Sequence, residues 1–82
     1  MISPAEAAGA AEKFLRNALG PQGQLLSGVK LEEIEHSKSK NRWWVTLSYP
    51  EESLFPSLRT YKRFAVDAQS GEVLAMKIRV VA

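Results

Sequence analysis

The feature that most constrains this chain is a pair of alternating runs joined by the short polar connection 67–71. In the second run, every second side chain is apolar: Leu74, Met76, Ile78 and Val80. Alternation with a period of two is typical of a β-strand that buries one face. Gly71 can adopt a positive φ at no steric cost, which suits a tight connection between two strands. The pattern therefore predicts a closing β-hairpin.

The register of this hairpin follows from the apolar residues of its two runs. If both apolar sets share one face, Phe64 lies opposite Met76, and Val66 lies opposite Leu74. We expect these residues to form part of the core, and the rest of the chain to cover them.

An amphipathic helix is predicted from about residue 4 to residue 19. Ser3 can cap its first turn, Pro4 suits the first helical position, and Glu6 can complete a capping box. Apolar residues recur at three- and four-residue spacing on one helical face: Ala7, Ala8, Ala11, Phe14, Leu15, Ala18 and Leu19. The Gly-Pro pair at 20–21 ends the helix. We expect the apolar face, with Phe14 and Ala18, to pack on the sheet.

Two further strands are predicted between the helix and the hairpin. Residues 29–37 form the first strand, and its apolar positions fall out of phase, which indicates a β-bulge near Glu32. Residues 42–49 form the second strand, whose wholly apolar set points inward: Trp43, Val45 and Leu47. Leu25 and Leu26 are expected to lie under the edge of the sheet.

Residues 50–60 are predicted to form a long connection, because they contain two prolines and exceed the usual length of a hairpin loop. This stretch also holds an apolar trio, Leu54, Phe55 and Leu58. Two interpretations stay open. Either Phe55 or Leu58 closes one end of a small core, which needs every large apolar residue, or the stretch is a binding loop.

The order of these elements predicts one α+β domain over residues 1–82. It consists of one N-terminal helix packed on one face of a four-stranded antiparallel sheet, a meander.

The composition argues against most catalytic chemistry. The chain has no cysteine and one histidine, His36, so thiolate sites and a histidine-built metal site are not expected. His36 near a strand end is expected to be hydrogen-bonded or solvated. The clustered glutamates at 32–35 and 51–52 are expected to be solvated, because acid–base work would require burial that separates their pKa values. We predict no cofactor, no metal and no enzymatic activity.

The second face of the sheet carries a mixed aromatic and basic set: Trp44, Thr46, Ser48, Tyr61, Arg63, Ala65, Ala75, Lys77 and Arg79. Arg63 is expected opposite Lys77, and Tyr61 opposite Arg79, where a Tyr and an Arg can stack. Three interpretations stay open: a solvated face, a protein or homodimer interface, and a nucleic-acid surface with aromatic stacking. The candidate partner-binding residues are Trp44, Tyr61, Arg63, Lys77, Arg79 and Phe55.

At the closing hairpin the sequence resembles the PepSY family. Residues 67–73, D-A-Q-S-G-E-V, are similar to the family's D-A-x-T-G-x-V turn between two strands. A helix with alanines ahead of a Trp-containing hairpin also fits. The resemblance implies a cystatin-like fold and a role in binding or peptidase regulation, with no catalytic residues. PepSY domains often occur in pairs and are usually extracytoplasmic, whereas this chain holds one unit and shows no export signal.

We therefore predict a non-enzymatic protein-binding or regulatory module that uses the second sheet face and the 50–60 connection. The partner is expected to be another protein, including a second copy in a homodimer. The alternative is a small nucleic-acid-binding protein that uses the same face, although a net charge of +2 does not indicate one. A third reading is an accessory subunit that completes another chain's active site through residues 50–60. Without a signal peptide or an apolar run of about 20 residues, we expect a cytoplasmic chain with no membrane span, if the chain is complete.

Overall fold

The computed structural model describes residues 1–52 and 55–79, and for residues 51, 52 and 55–57 it describes the backbone alone. The elements are helices α1 (Pro4–Ala18) and α2 (Pro21–Gln24) and strands β1 (Lys30–Ser37), β2 (Arg42–Glu52), β3 (Phe55–Asp67) and β4 (Val73–Ile78). In this part of the chain the strands form an antiparallel sheet in the order β1-β2-β3-β4. Because α1 packs on one face of the sheet, the predicted α+β meander is confirmed.

The first helix begins and ends where its local sequence predicts. The Ser3 hydroxyl accepts a hydrogen bond from the backbone N–H of Glu6 at 3.1 Å, and the Glu6 carboxylate accepts one from the backbone N–H of Ser3 at 3.0 Å. The second of these bonds holds the pKa of Glu6 below its usual value. The helix stops at Leu19, and Gly20 follows with a φ of 69°. The predicted capping box is therefore confirmed.

The core lies between α1 and the sheet. It consists of Ala7, Ala11, Leu15, Trp43, Val45, Leu47, Phe64, Val66 and Ala68. Small alanines on α1 let the helix backbone lie close to the strands. Phe14 contributes less than its size suggests, because its side chain is 39% exposed. Its ring meets that of Phe64 edge to face, with 6.4 Å between centroids. Ala18 is exposed, so the expectation that it packs in the core is wrong.

The β-bulge predicted in the first strand is present. The register of β1 against β2 shifts between Leu31 and Glu33, so that Ile34 lies opposite Val45. The extra residue restores the phase of the apolar positions, and Ile34 packs against the core. Leu31 lies nearer the sheet end and is exposed.

The observed register of the closing hairpin differs from the predicted register at one position. Phe64 lies opposite Met76, as predicted, but Val66 lies opposite Val73 rather than Leu74, because the register shifts between Ala65 and Val66. Val73 therefore packs against the core, and Leu74 is 44% exposed. The expectation that Leu74 is buried is wrong.

The turn explains this shift. One Asp67 carboxylate oxygen accepts the backbone N–H groups of Gln69 and Ser70, at 2.8 and 2.9 Å. These bonds hold the pKa of Asp67 below its usual value. Gly71 has a φ of 78°, as predicted, and its N–H donates to the Asp67 carbonyl at 2.9 Å. Because the turn is closed so tightly, β4 pairs with Val66 of β3 through Val73, one residue earlier than simple alternation predicts.

The predicted long connection at residues 50–60 is wrong, because β2 extends to Glu52 and β3 begins at Phe55. Pro50 pairs with Arg59 on β3, and it lies beyond Ser48, the last β2 residue paired with β1. A proline is tolerated in a strand where no neighbour requires its missing N–H. Leu58 is 53% exposed and does not close the core. The Phe55 side chain and Leu54 lie outside the described residues.

The link after α1 is only partly as predicted. Leu26 packs against the core, but Leu25 is 83% exposed, so its expected place under the sheet edge is wrong. Residues 21–24 form a short helix. Arg16 fixes this link to α1, because its guanidinium donates to the carbonyls of Gly23 and Leu26 at 3.1 and 2.9 Å.

Candidate functional site

The face of the sheet away from α1 is the candidate functional surface, and we call it the open face. Strand register places its side chains there as a polar and aromatic set: Glu33, Glu35, Trp44, Thr46, Ser48, Arg59, Tyr61, Arg63, Ala65, Ala75 and Lys77. The predicted pairing of Arg63 with Lys77 is confirmed. Arg79, just beyond β4, donates its backbone N–H to the Tyr61 carbonyl at 3.0 Å, so these two residues are neighbours as expected.

Trp44 and Arg63 form the aromatic centre of the open face. The guanidinium carbon of Arg63 lies 4.5 Å from the centroid of the Trp44 ring. On the β3 side of Trp44 the strands carry small side chains, since Ala65 lies opposite Trp44 and Ala75 lies opposite Ala65. On the other side, Glu35 of β1 lies opposite Trp44. Trp44 is partly exposed, and the Arg63 side chain restricts its ring.

Arg79 spans the open face towards β1. Its guanidinium donates to the Thr46 hydroxyl at 3.0 Å and forms an ion pair with Glu33. This bond lowers the pKa of Glu33 and raises that of Arg79 from their ordinary values. The stacking of Tyr61 on Arg79 that the sequence suggested gives way to this ion pair. Thr46 is 3% exposed beneath these side chains.

A second polar cluster lies beside the first, around the fully buried Ser48. The Ser48 hydroxyl donates to the Glu32 carboxylate at 2.5 Å and accepts from Arg59 Nε at 2.9 Å. Another Arg59 nitrogen donates to the carbonyls of Ser48 and Gly28. Because this hydroxyl is covered and has both partners, it is a structural group that a substrate does not reach.

Sequence reasoning did not find Arg59. Its parity matches that of Tyr61 and Arg63 on the same strand, and this signal would have placed it on the open face. It was missed because residues 50–60 were interpreted as a connection rather than as the paired ends of β2 and β3.

The acidic and basic residues of the open face lie on different strands, but the arginine guanidinium groups reach back over β2 towards β1. The acidic side lies on β1 and consists of Glu32, Glu33 and Glu35, with Lys30 at the start of that strand. The basic side lies on β3, β4 and the residue after β4, and consists of Arg59, Arg63, Lys77 and Arg79. The glutamates expected to be simply solvated are therefore part of the same surface as the basic residues. Within the described residues, Lys77 has no ion pair.

The described part of the surface contains depressions of different sizes. A small one of about 220 Å³ lies on the open face between the acidic side, Tyr61 and Arg79. A wider one of about 540 Å³ lies between α1 and the turn before β4, where Phe14 and Val73 meet Gly71. The wider depression contains one acidic and one basic side chain, Glu72 and Lys13, and no group that the sequence singled out for chemistry.

His36 lies on the covered face rather than at a polar site. Its ring packs on that of Trp43, with 4.9 Å between centroids, and its Nε2 atom is buried without a hydrogen-bond partner in the described structure. The expectation of a hydrogen-bonded or solvated histidine is therefore wrong for this nitrogen. In the part of the chain that the structure describes, no three acidic or histidine side chains converge as metal ligands would.

Comparison with family models, curated proteins and solved structures finds no match to this chain. Among the residues described, no helix has the length and apolar character that a membrane span requires.

Proposed function

We propose that this chain is a non-enzymatic binding module of PepSY-like type, and that its open face is a protein-binding surface centred on Trp44 and Arg63. The observation that carries the proposal is the aromatic centre itself: a tryptophan under an arginine, on a sheet face that α1 leaves uncovered. Trp and Arg are the residues most often found at the energetic centres of protein interfaces. The likeness of the 67–73 turn to PepSY domains agrees with a binding role.

The surroundings of Trp44 also favour binding. The contact with Arg63 holds both side chains in one arrangement, so less side-chain entropy is lost when a partner orders them. Of the two neighbouring alanines, Ala65 is 2% exposed beneath the larger side chains, whereas Ala75 is partly exposed and accessible to a partner. The end of the β2–β3 hairpin, with Phe55 and the exposed Leu58, is proposed as a secondary contact.

The mixed charge of the open face favours a protein over a nucleic acid as the partner. Phosphate-binding surfaces gain affinity by releasing counterions from many basic contacts. On the open face, Glu33 already neutralises Arg79, and Glu35 lies directly opposite Trp44. Carboxylates in these positions repel a phosphate backbone that approaches the aromatic centre. Nucleic-acid binding therefore stays the second candidate, supported by the stacking potential of Trp44 and by Lys77, which has no ion pair among the described residues.

The test compares two tagged variants with the native chain in retention of proteins from the native host. Trp44→Ala removes the aromatic centre, and Leu25→Ala removes an equally apolar side chain that is 83% exposed and lies outside the open face. A retained protein is then purified, and its affinity is measured directly. We expect Trp44→Ala to weaken binding by about tenfold or more, Leu25→Ala to leave it unchanged, and both to keep the native melting temperature within a few degrees.

Titration with single-stranded and duplex oligonucleotides at two salt concentrations tests the second candidate. If nucleic acid is the partner, Arg63→Ala and Lys77→Ala each reduce the salt slope by about one unit. We expect no salt-dependent oligonucleotide binding. Steep, salt-sensitive binding that these two substitutions weaken would replace the proposed protein partner with a nucleic acid.

A further inference from the structure

We propose that the outer edge of β4 binds an extended peptide segment of a partner protein, which adds a strand to the sheet. The segment places an acidic side chain beside Lys77 and an apolar side chain in the depression next to Phe14. This site is separate from the aromatic centre of the open face, so neither proposal depends on the other. β4 ends the strand order β1-β2-β3-β4, and its outer edge has no strand partner among the described residues. Adding a strand to such an edge is a recurring mode of peptide recognition.

The backbone of β4 offers hydrogen-bonding groups at this edge. The backbone N–H of Arg79 donates to the Tyr61 carbonyl at 3.0 Å, so Arg79 and the β4 residue two positions before it direct their backbone groups towards β3. In an antiparallel ladder the alternate residues direct theirs the opposite way. Met76 and Ile78 therefore each point an N–H and a C=O away from β3. An extended segment can bond to all of these groups, whereas a helix, whose backbone groups are already paired internally, cannot.

The two edges of the sheet differ in their protection against an added strand. Edge strands usually carry charged side chains or bulges that discourage such pairing. β1 has a register shift within it and four charged residues: Lys30, Glu32, Glu33 and Glu35. β4 has a register shift at its start and a single charged residue, Lys77. Two of its apolar side chains, Leu74 and Ile78, are 44% and 72% exposed. The β4 edge is therefore the better suited of the two to a partner strand.

The depression of about 540 Å³ lies where an added strand meets α1. Ala10 and Phe14 line it from the helix, and Val73 lines it from the start of β4. Phe14 stays 39% exposed here, although its ring packs edge to face on that of Phe64. An apolar side chain of the added strand, opposite Val73, covers the exposed part of the Phe14 ring. Removing this apolar surface from water favours association.

The charge near the other end of β4 favours an acidic segment. Arg63 lies opposite Lys77, but its guanidinium turns back over the Trp44 ring. In the described part of the chain, Lys77 has no ion pair. A carboxylate on the added strand beside Lys77 supplies one, as opposite charges on neighbouring strands do. Because Lys77 and Val73 lie on the same strand, the acidic and apolar positions of the segment are about four residues apart.

A second copy of this chain fits the same edge less well. An antiparallel pair in which Met76 of each copy faces Ile78 of the other uses the outward backbone groups of both. That register places Lys77 directly opposite Lys77, and like charges in this position are destabilising. A partner segment that carries carboxylates avoids this repulsion.

The experiment uses a capped synthetic peptide of sequence E-V-E-V-T-V-L-T. Paired antiparallel to β4, it places its second glutamate beside Lys77 and its leucine beside Val73. Affinity is measured by calorimetric titration at low salt, and the site is located by amide hydrogen exchange. We expect the peptide to bind and to slow exchange at the N–H groups of Met76 and Ile78, which an added strand covers. Peptides with both glutamates changed to lysine, or with the leucine changed to alanine, should bind about fivefold more weakly or less.

Variants of the chain separate backbone pairing from side-chain contact. Ile78→Pro removes an outward N–H and keeps the bonds to β3, a position where an edge strand tolerates proline, and should weaken binding about tenfold. Ile78→Ala is the matched control, because it shortens the side chain but keeps the N–H, and should bind within about threefold of the native chain. Lys77→Glu should weaken binding of the glutamate peptide and strengthen binding of the lysine peptide, a reversal that a loss of folding does not produce. Trp44→Ala should leave peptide binding unchanged.

No binding of the glutamate peptide at millimolar concentration, or equal binding of the lysine peptide, would overturn the proposed acidic segment. Equal affinities of Ile78→Pro and Ile78→Ala would overturn strand addition, and loss of peptide binding in Trp44→Ala would move the site to the open face. Sedimentation of the native chain gives the last comparison. A monomer agrees with a peptide as the occupant, whereas a dimer that Ile78→Pro abolishes would replace the peptide with a second copy. The retention test of the open face is decided separately from all of these outcomes.

Discussion

Two adjacent tryptophans lie on opposite faces of the sheet, and the two faces are closed in different ways. Trp43 lies on the covered face, where α1 and apolar side chains such as Val45 and Phe64 exclude water. Trp44 lies on the open face, where Thr46 and Ser48 are buried as deeply as the core. Their covering comes from the charged side chains of that face, chiefly Arg59 and Arg79.

These two kinds of covering differ in how far their side chains can rearrange without unfolding the domain. Apolar packing against α1 is close to crystalline density, so any change in volume there affects the free energy of unfolding. Long arginine side chains cover the open face, and the guanidinium groups of Arg59 and Arg79 bond to the hydroxyls of Ser48 and Thr46 beneath them. They can rearrange when a partner arrives without dismantling the fold. We infer that the covered face provides stability and the open face provides binding.

The largest effect is expected from truncation on the covered face. Leu15 is fully buried, so Leu15→Ala should lower the free energy of unfolding by about 2–5 kcal/mol. Phe14→Ala is the matched variant one residue away. Because the Phe14 side chain is 39% exposed, we expect a smaller loss of about 1–2 kcal/mol despite its larger ring. Chemical denaturation measures both, and equal losses would show that the covered face is not sealed as described.

The next largest effect on stability is expected at the turn before β4, which sets the face of the sheet on which each β4 side chain lies. Gly71 has a φ of 78°, so Gly71→Val should destabilise by more than the roughly 1–2 kcal/mol that a left-handed residue costs. A side chain there meets only ordinary contacts with Ile2, so backbone strain causes the loss. Gly9→Ala is the control, because Gly9 is exposed within α1 and has open space around it. That control should stabilise the chain by about 0.5–1 kcal/mol, and destabilisation by both would argue against the assigned turn.

A smaller effect on stability is expected on the open face. Arg63→Ala removes the cation over Trp44, and an exposed contact of this kind contributes about 0.5–1 kcal/mol. The same substitution should weaken binding at the open face more than it lowers the free energy of unfolding. A thermal melt and a binding titration on one sample compare the two. A loss of stability as large as that of Leu15→Ala would mean that the two faces are not distinct in role.

The smallest expected effect is a pH dependence of the free energy of unfolding that arises from Asp67. Its pKa lies below the ordinary value near 3.8 because backbone N–H groups of Ser70 and Gln69 bind the carboxylate. The charged form therefore stabilises the fold above the unfolded pKa, and this contribution is lost as the pH falls through the folded pKa. Asp67→Asn keeps an acceptor but not the charge. We expect the native chain to be the more stable near neutral pH and the difference to shrink below about pH 4; a constant difference would contradict this origin.

Features set by a few neighbouring residues were predictable from the sequence. The caps of α1, the alternation of β2, the β1 bulge and the positive φ of Gly71 each depend on local backbone chemistry. Leu74 was misplaced because the side chain of Asp67 tightens the turn, and alternation alone does not encode that bond. The strands at residues 50–60 were missed because a proline such as Pro50 usually indicates the end of a strand. Pro50 is tolerated within β2 because β1 no longer pairs there, and the sequence alone does not show where β1 stops pairing.

The open face was predictable in its membership but not in its contacts. Parity placed Trp44, Arg63 and Lys77 there correctly, since period-2 alternation fixes the side of each residue. The pairing of Arg79 with Glu33 joins residues 46 positions apart in the chain. Such a contact depends on strand order and side-chain reach, so the pairing of opposite charges on the open face emerged only from the fold.

Fluorescence quenching of each tryptophan separately tests most directly whether the open face is a binding surface. Trp44→Phe leaves only Trp43 to report on the covered face, and Trp43→Phe leaves only Trp44 to report on the open face. In a dilute sample, acrylamide should quench Trp44 more strongly than Trp43, which is 9% exposed. When a protein retained by the native chain is added to saturation, quenching of Trp44 should fall while that of Trp43 stays constant. Quenching of Trp44 that stays unchanged while sedimentation shows that this protein is bound would contradict the open face as the binding surface.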